Sequence, residues 1–244
     1  METKETKQEE PKTDPIIEEM TRAGLQFGHK TSKTHPKMKP YIAGIRNTVH
    51  IFNLEKTKEK LQEALTFISE LAKGGKVLLL VGTKVQIKPI VREVAIACAL
   101  PYVVERWIGG TFTNFDTISK RILRLLELEQ KKSGGELEKY TKKERGLFDE
   151  EMRDLEEKYG GLRNLTKLPD VVFVCDVDEN ELAVREAKKK GIPVIAVCDT
   201  NIDPTPIDHC IPANDDSVSS VRYILEKLKE TVLSAKPQDM KPEA

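Results

Sequence analysis

From residue 49 onward, short unbroken apolar runs alternate with longer stretches in which apolar positions recur every three or four residues. Unbroken runs read as strands buried on both faces, and the wider spacing reads as helices that lay one face against them. The pattern predicts strands over 49–52, 76–81, 102–104, 170–175, 192–198 and 209–211. It predicts helices over 55–73, 85–99, 179–190 and 218–233, with Pro101 and Gly191 as stop signals. Such alternation implies an α/β class: a doubly wound parallel sheet in three layers, α/β/α.

Two segments break the rhythm. Before the first strand, a short helical pattern (Ile16, Ile17, Met20, Leu25) gives way to the Gly-, Pro- and Lys-rich stretch 26–47, which reads as a long loop. Long loops inside compact domains mostly carry function. Residues 116–159 are highly charged and contain a Ser133-Gly134-Gly135 turn. Ile118, Ile122 and Leu125, then Phe148, Met152, Leu155 and Tyr159, repeat the four–three spacing of a narrow coiled-coil seam. An inserted α-helical hairpin projecting from the sheet domain is expected. The organisation is then a disordered acidic tail over 1–15 and an α/β domain over 16–115 and 160–235. The basic arm lies at 22–47, the hairpin at 116–159, and a second disordered tail at 236–244.

Composition narrows the class. The chain has 244 residues, of which 39% are hydrophobic and 33% charged, with a formal net charge of zero. Overall charge therefore gives no argument for nucleic acid; only the placement of charges can. The opening METKETKQEEPKTDP is neither a signal nor a transit peptide, and no apolar run is long enough to span a bilayer. A cytoplasmic location, with no membrane partner, is expected. The scattered Cys98, Cys175, Cys198 and Cys210 form no CxxC pair and read as buried thiols.

Charge placement is the main chemical signal. Residues 20–54 contain no Asp or Glu, yet hold Arg22, Lys30, Lys33, Lys37, Lys39 and Arg46, with His29, His35 and His50. A nearby carboxylate would repel a phosphate, so a carboxylate-free stretch suits a nucleic-acid backbone. Tyr41 and Phe27 lie among these cations and could stack on unpaired bases, and Asn47 offers a shape-specific contact. A second candidate is the loop after the strand at 102–104, with Trp107, Gly109, Gly110, Thr111 and Asn114. Its glycines permit close backbone approach and its amides could hold phosphate. It is neither GxGxxG nor a Walker loop.

Carboxylates gather elsewhere. Asp176, Asp178, Asp199, Asp203 and Asp208 fall at or beyond strand ends, where α/β enzymes place their sites. A nucleotide- or sugar-phosphate-binding enzyme is the alternative reading. Turn and cap chemistry explains the same residues: Asp178 with Glu181 three residues on, Asp203-Pro204, and Asp215-Asp216 before the last helix. No nucleophile–base pairing is evident, so no catalytic residue is assigned. Cys175, Cys198, His209 and Cys210 match no zinc spacing, and no metal or cofactor is expected.

Read as strings, these segments resemble the S-two family of small-subunit ribosomal proteins. The resemblance is carried by Gly24-Leu25-Gln26-Phe27-Gly28-His29-Lys30-Thr31, Pro36-Lys37-Met38, Tyr41-Ile42 and Arg46-Asn47. It continues through His50-Ile51, Lys56-Thr57, Val81-Gly82-Thr83-Lys84, Arg106-Trp107-Ile108-Gly109-Gly110 and Thr113-Asn114-Phe115. Leu168-Pro169-Asp170, Glu186-Ala187, Gly191-Ile192-Pro193, Asp199-Thr200-Asn201 with Asp203-Pro204, and Ile211-Pro212 with Asn214-Asp215-Asp216 complete it, over residues 16–235. The sequence departs from the usual pattern at Thr34 and His35, where a Trp and an Asn are common, and at Asn53 and Val85. The resemblance implies a flavodoxin-like domain with an inserted coiled-coil hairpin. It also implies a structural, non-enzymatic role in the small ribosomal subunit. The implied partners are small-subunit ribosomal RNA and neighbouring ribosomal proteins, including the S-one protein, with the chain a monomer within the ribonucleoprotein.

Overall fold

The computed structural model describes residues 14–235. The two expected tails lie outside the described residues, except that Asp14 and Pro15 belong to the first helix rather than to a tail. That helix, α1 (Pro15–Ala23), opens on proline, whose fixed φ suits the first turn. The Asp14 carboxylate accepts from the Ile16 amide and pairs with Lys58. Gly24, at φ 79°, closes the helix.

The stretch expected as a loop is folded. It forms β1 (Phe27–Lys30), a 3-10 turn at Pro36–Tyr41 and β2 (Ile42–Arg46). Both strands pair antiparallel with β3 (Val49–Phe52), in the order β1-β3-β2. The run at 49–52, expected to join the parallel sheet, is therefore the central strand of a separate three-stranded one. The reason is local. Asn47 and Thr48 both have positive φ, 49° and 65°, which is the geometry of a two-residue hairpin turn. Along β3, His50 and Phe52 point inward while Val49 and Ile51 remain half exposed.

The remainder follows the alternation. In chain order come α2 (Leu54–Lys73), β4 (Leu78–Val81), α3 (Lys88–Ala97) and β5 (Tyr102–Val103). Then come α4 (Phe115–Ser133), α5 (Lys142–Tyr159), β6 (Val171–Val174), α6 (Glu181–Lys190), β7 (Val194–Cys198), β8 (His209–Pro212) and α7 (Val218–Ala235). The five strands of the larger sheet run parallel in the order β5-β4-β6-β7-β8. Numbered within that sheet the order is 2-1-3-4-5, that of a doubly wound flavodoxin-type fold, with its switch point between β4 and β6. Alternate residues face opposite cores. Leu79, Val81, Val172 and Val174 join the cluster under α6, while Leu78, Leu80, Val171 and Phe173 join the one under α2, α3 and α7.

Between β5 and β6 the chain makes a helical pair. Ile118, Ile122, Leu125 and Leu128 of α4 are buried together with Leu155 and Tyr159 of α5, and Phe148 and Met152 pack at the margin. Arg124 donates two hydrogen bonds to Glu151, at 3.0 and 2.9 Å, and Lys132 meets Asp149 at 2.8 Å. Gly134 ends α4, and a Thr141–Glu144 capping box starts α5.

Candidate nucleic-acid interface

The small antiparallel sheet is docked on the large one by polar bonds at the carboxyl ends of the parallel strands. The His29 amide donates to Asp199 Oδ1 (3.1 Å) and Thr200 Oγ1 (3.0 Å), and the His35 amide donates to the Thr200 carbonyl (2.7 Å). The His29 ring lies between two carboxylates, 3.1 Å from Asp199 and 3.4 Å from Asp216. Its hydrogen bond to Asp199 raises its pKa. His35 caps the 3-10 turn and faces Asp203 at 3.9 Å. Lys37 also binds Asp203, at 3.3 Å, and reaches Thr205. Hydrogen bonds from Thr205, then Lys37, lower the Asp203 pKa to about 2.

The predicted RNA-contacting residues therefore divide. His29, His35 and Lys37 are engaged in holding the arm to the domain. Tyr41 is half buried against the core, where burial raises its pKa. Arg22 projects from α1 and pairs loosely with Glu18 at 3.8 Å. Lys30, Lys33, Lys39 and Arg46 are exposed, and none has an ion-pair partner among the described residues. Asn47 is exposed at the tip of the β2–β3 hairpin.

The second predicted element, the glycine loop, is engaged internally. Trp107 is only 5% exposed and makes an edge contact with Phe112, so it is a core residue. Gly110 has φ 96°, where glycine is favoured. The amides of Gly110, Phe112 and Thr113 do converge on an anion, but it is the Glu186 carboxylate of α6, at 2.7, 2.9 and 3.2 Å. Burial pushes the Glu186 pKa up, but these amide bonds outweigh it and leave the group below its ordinary value. Thr111 is buried and donates to the Ile108 carbonyl, and Asn114 accepts from Thr117 at the start of α4. The loop sets the base of the helical pair and offers no vacant amide cluster for phosphate.

Beside the arm, at the switch point, is a cluster that sequence reasoning only partly found. Lys84, just past β4, lies 2.9 Å from Asp215, 2.8 Å from Asp216 and 3.6 Å from Asp176. Burial opposes its charge, but Asp215 and Asp216 hold its pKa above the lysine range. Burial raises the Asp215 pKa to about 7, and one oxygen each of Asp176 and Asp215 has no hydrogen-bond partner. His29, Asp199 and Asp215 each bring one ligand-type atom within 4.8 Å of the others, a grouping that could hold a metal ion. The four residues considered for metal from spacing are placed otherwise: the cysteines are buried, and His209 stacks on Phe67 at 4.4 Å. In the sequence Lys84 stands out only within the Val81-Gly82-Thr83-Lys84 string, because nothing local marks a lysine whose partners lie about 90 and 130 residues away.

The family model described as Ribosomal protein S2 matches residues 20–235. The chain is 44% identical over 221 residues to the small ribosomal subunit protein uS2 of Dictyoglomus thermophilum, covering 91% of this chain and 90% of that relative.

Proposed function

The chain belongs to the ribosomal protein S2 family of the small ribosomal subunit, and on that premise we propose that it binds small-subunit ribosomal RNA through its basic arm. Its work in translation is structural. Lys30, Lys33, Lys39 and Arg46 neutralise phosphates, and Asn47 supplies a contact to RNA shape. The observation that carries this reading is that these four cations stay exposed with no salt bridge among the described residues, Lys33 acting on Asp216 only at longer range, while carboxylates elsewhere bind their neighbours His29, His35 and Lys37. The α4–α5 pair acts as a coiled-coil arm whose polar surface docks neighbouring ribosomal proteins. The S-one protein docks on the same subunit face. The site of action is the cytoplasmic ribosome, with the chain a monomer in it.

The strand-end crevice argues against the rival reading of a phosphate-ligand enzyme. It gathers Asp176, Asp199, Asp215 and Asp216 around one lysine and one histidine, and a phosphate entering there meets net negative charge.

The test is the salt dependence of RNA binding. With about four cations on phosphate, a log–log plot of affinity against salt should have a slope near −3. Changing Lys30 and Arg46 together to glutamine should lower affinity and flatten the slope by roughly 1.4. An unchanged slope would remove the arm from the interface.

A further inference from the structure

We infer that the outer face of the antiparallel sheet is a stacking platform for an unpaired stretch of small-subunit ribosomal RNA. A base lies on Phe27, and Lys30 and Arg46 of the adjacent row hold neighbouring phosphates. The inference rests on the RNA-binding reading above and adds which RNA conformation the arm takes and which side chain reads it.

Strand register makes the face. Phe27 and Gly44 both pair with Ile51, and Lys30 and Arg46 both pair with Val49. Directly paired residues lie on one side of a sheet, so the face carries two rows across three strands. One row is Phe27, Ile51 and Gly44; the other is Lys30, Val49 and Arg46. A bulge between Phe27 and Lys30 brings both onto this side although they are three residues apart. Phe27 is 43% exposed and makes no ring contact among the described residues. Gly44 leaves its end of the row open: a Cβ built there meets nothing within 4 Å. The two cations sit about two strand spacings apart, roughly 10 Å, at opposite edges of a half-exposed apolar strip.

Charge complementarity selects the occupant. An aromatic ring on an open sheet face, beside a row that carries two cations without ion-pair partners among the described residues, suits a base with its neighbouring phosphates. A duplex keeps its base faces stacked on one another and cannot use Phe27. The hairpin turn holds Arg46 in place, since Asn47 and Thr48 are both in the left-handed region and Thr31 donates to the Thr48 carbonyl at 2.9 Å. Tyr41, the other aromatic of the arm, is turned to the core and takes no part.

The experiment measures binding of the full chain to a short single-stranded oligoribonucleotide and to an RNA duplex of equal length, compared at equal salt across a salt series. Phe27→Leu should weaken single-strand binding about tenfold, Phe27→Trp should restore it, and duplex binding should not change. The salt slope should be the same in both variants, because no cation is altered. Unchanged thermal unfolding of Phe27→Leu controls for folding. If Phe27→Leu binds the single strand as the parent does, the platform is overturned while the basic arm stands. If the parent binds neither RNA, the arm reading fails with it. A photoreactive phenylalanine at position 27 in assembled small subunits should cross-link to ribosomal RNA; cross-linking to a protein or to messenger RNA would overturn the assignment.

Discussion

Glu186 shows how one buried charge can organise a loop. Its carboxylate takes hydrogen bonds from three consecutive-region amides and from the Thr113 hydroxyl, and each charge-assisted bond is stronger than a neutral one. Glutamine at this position keeps the shape but loses the charge and turns a donor toward donors. Glu186→Gln should cost about 2 kcal/mol at neutral pH, measured by denaturant unfolding. The pH dependence has a definite sign. A carboxylate whose folded pKa is depressed stabilises above its unfolded value and loses that contribution as pH falls through the folded value. The gap between parent and variant should therefore shrink as pH drops below about 4.5, the ordinary value of the group. A gap that stays constant into acid would mean that packing, not charge, is lost. The glycines of this loop were legible in the sequence as places of close backbone approach, and its amides as an anion site. Its partner was not, because Glu186 lies 74 residues from Phe112 and nothing local announces it.

At the scale of elements, legibility tracked how each element is stabilised. The parallel strands β4, β6 and β7 are buried along their whole length, so an unbroken apolar run marks them. The apolar positions that α4 and α5 bury were readable for the same reason, at helical spacing. The antiparallel sheet was hidden: β1 and β2 carry glycine, lysine and arginine, and backbone pairing with β3 rather than apolar burial defines them. The site divided in the same way. Carboxylate-free sequence located the arm, but only the fold shows which of its cations meet carboxylates of the loop after β7 and of the turn before α7. The helical pair yields its own prediction. Its buried residues, Ile118 to Leu128 and Leu155 to Tyr159, join the same apolar cluster as the sheet, while Arg124–Glu151 and Lys132–Asp149 tie the two helices to each other. Replacing residues 129–147 with a short Gly–Ser turn should leave the cooperative unfolding of the α/β domain intact while weakening docking of neighbouring proteins in subunit reconstitution. Loss of the domain transition would show that the pair is part of the core; full recruitment of every protein would remove its docking role.

For the whole molecule, the question is why the basic arm is bonded to a domain edge rich in acid. An arm of unpaired cations left mobile would lose conformational entropy on binding, and preorganisation removes that cost. The domain edge fixes the arm through backbone donors, His29 and Lys37, leaving Lys30 and Arg46 on the far side of the sheet. Gly28 is the tightest point of the joint. A Cβ there would lie 2.6 Å from Thr200 Cγ2 and 3.2 Å from an Asp199 oxygen, inside normal contact with buried side chains. Gly28→Ala should therefore loosen the joint without removing a charge. Hydrogen exchange at the His29 and His35 amides should accelerate, while exchange in β6 and β7 stays slow. RNA affinity should fall severalfold with the salt slope unchanged, since the same cations still meet the same phosphates and only the ordering cost has risen. A flattened slope would show that the crevice places individual cations, and unchanged exchange would show that the two sheets accommodate the methyl group and that the joint is not what orders the arm.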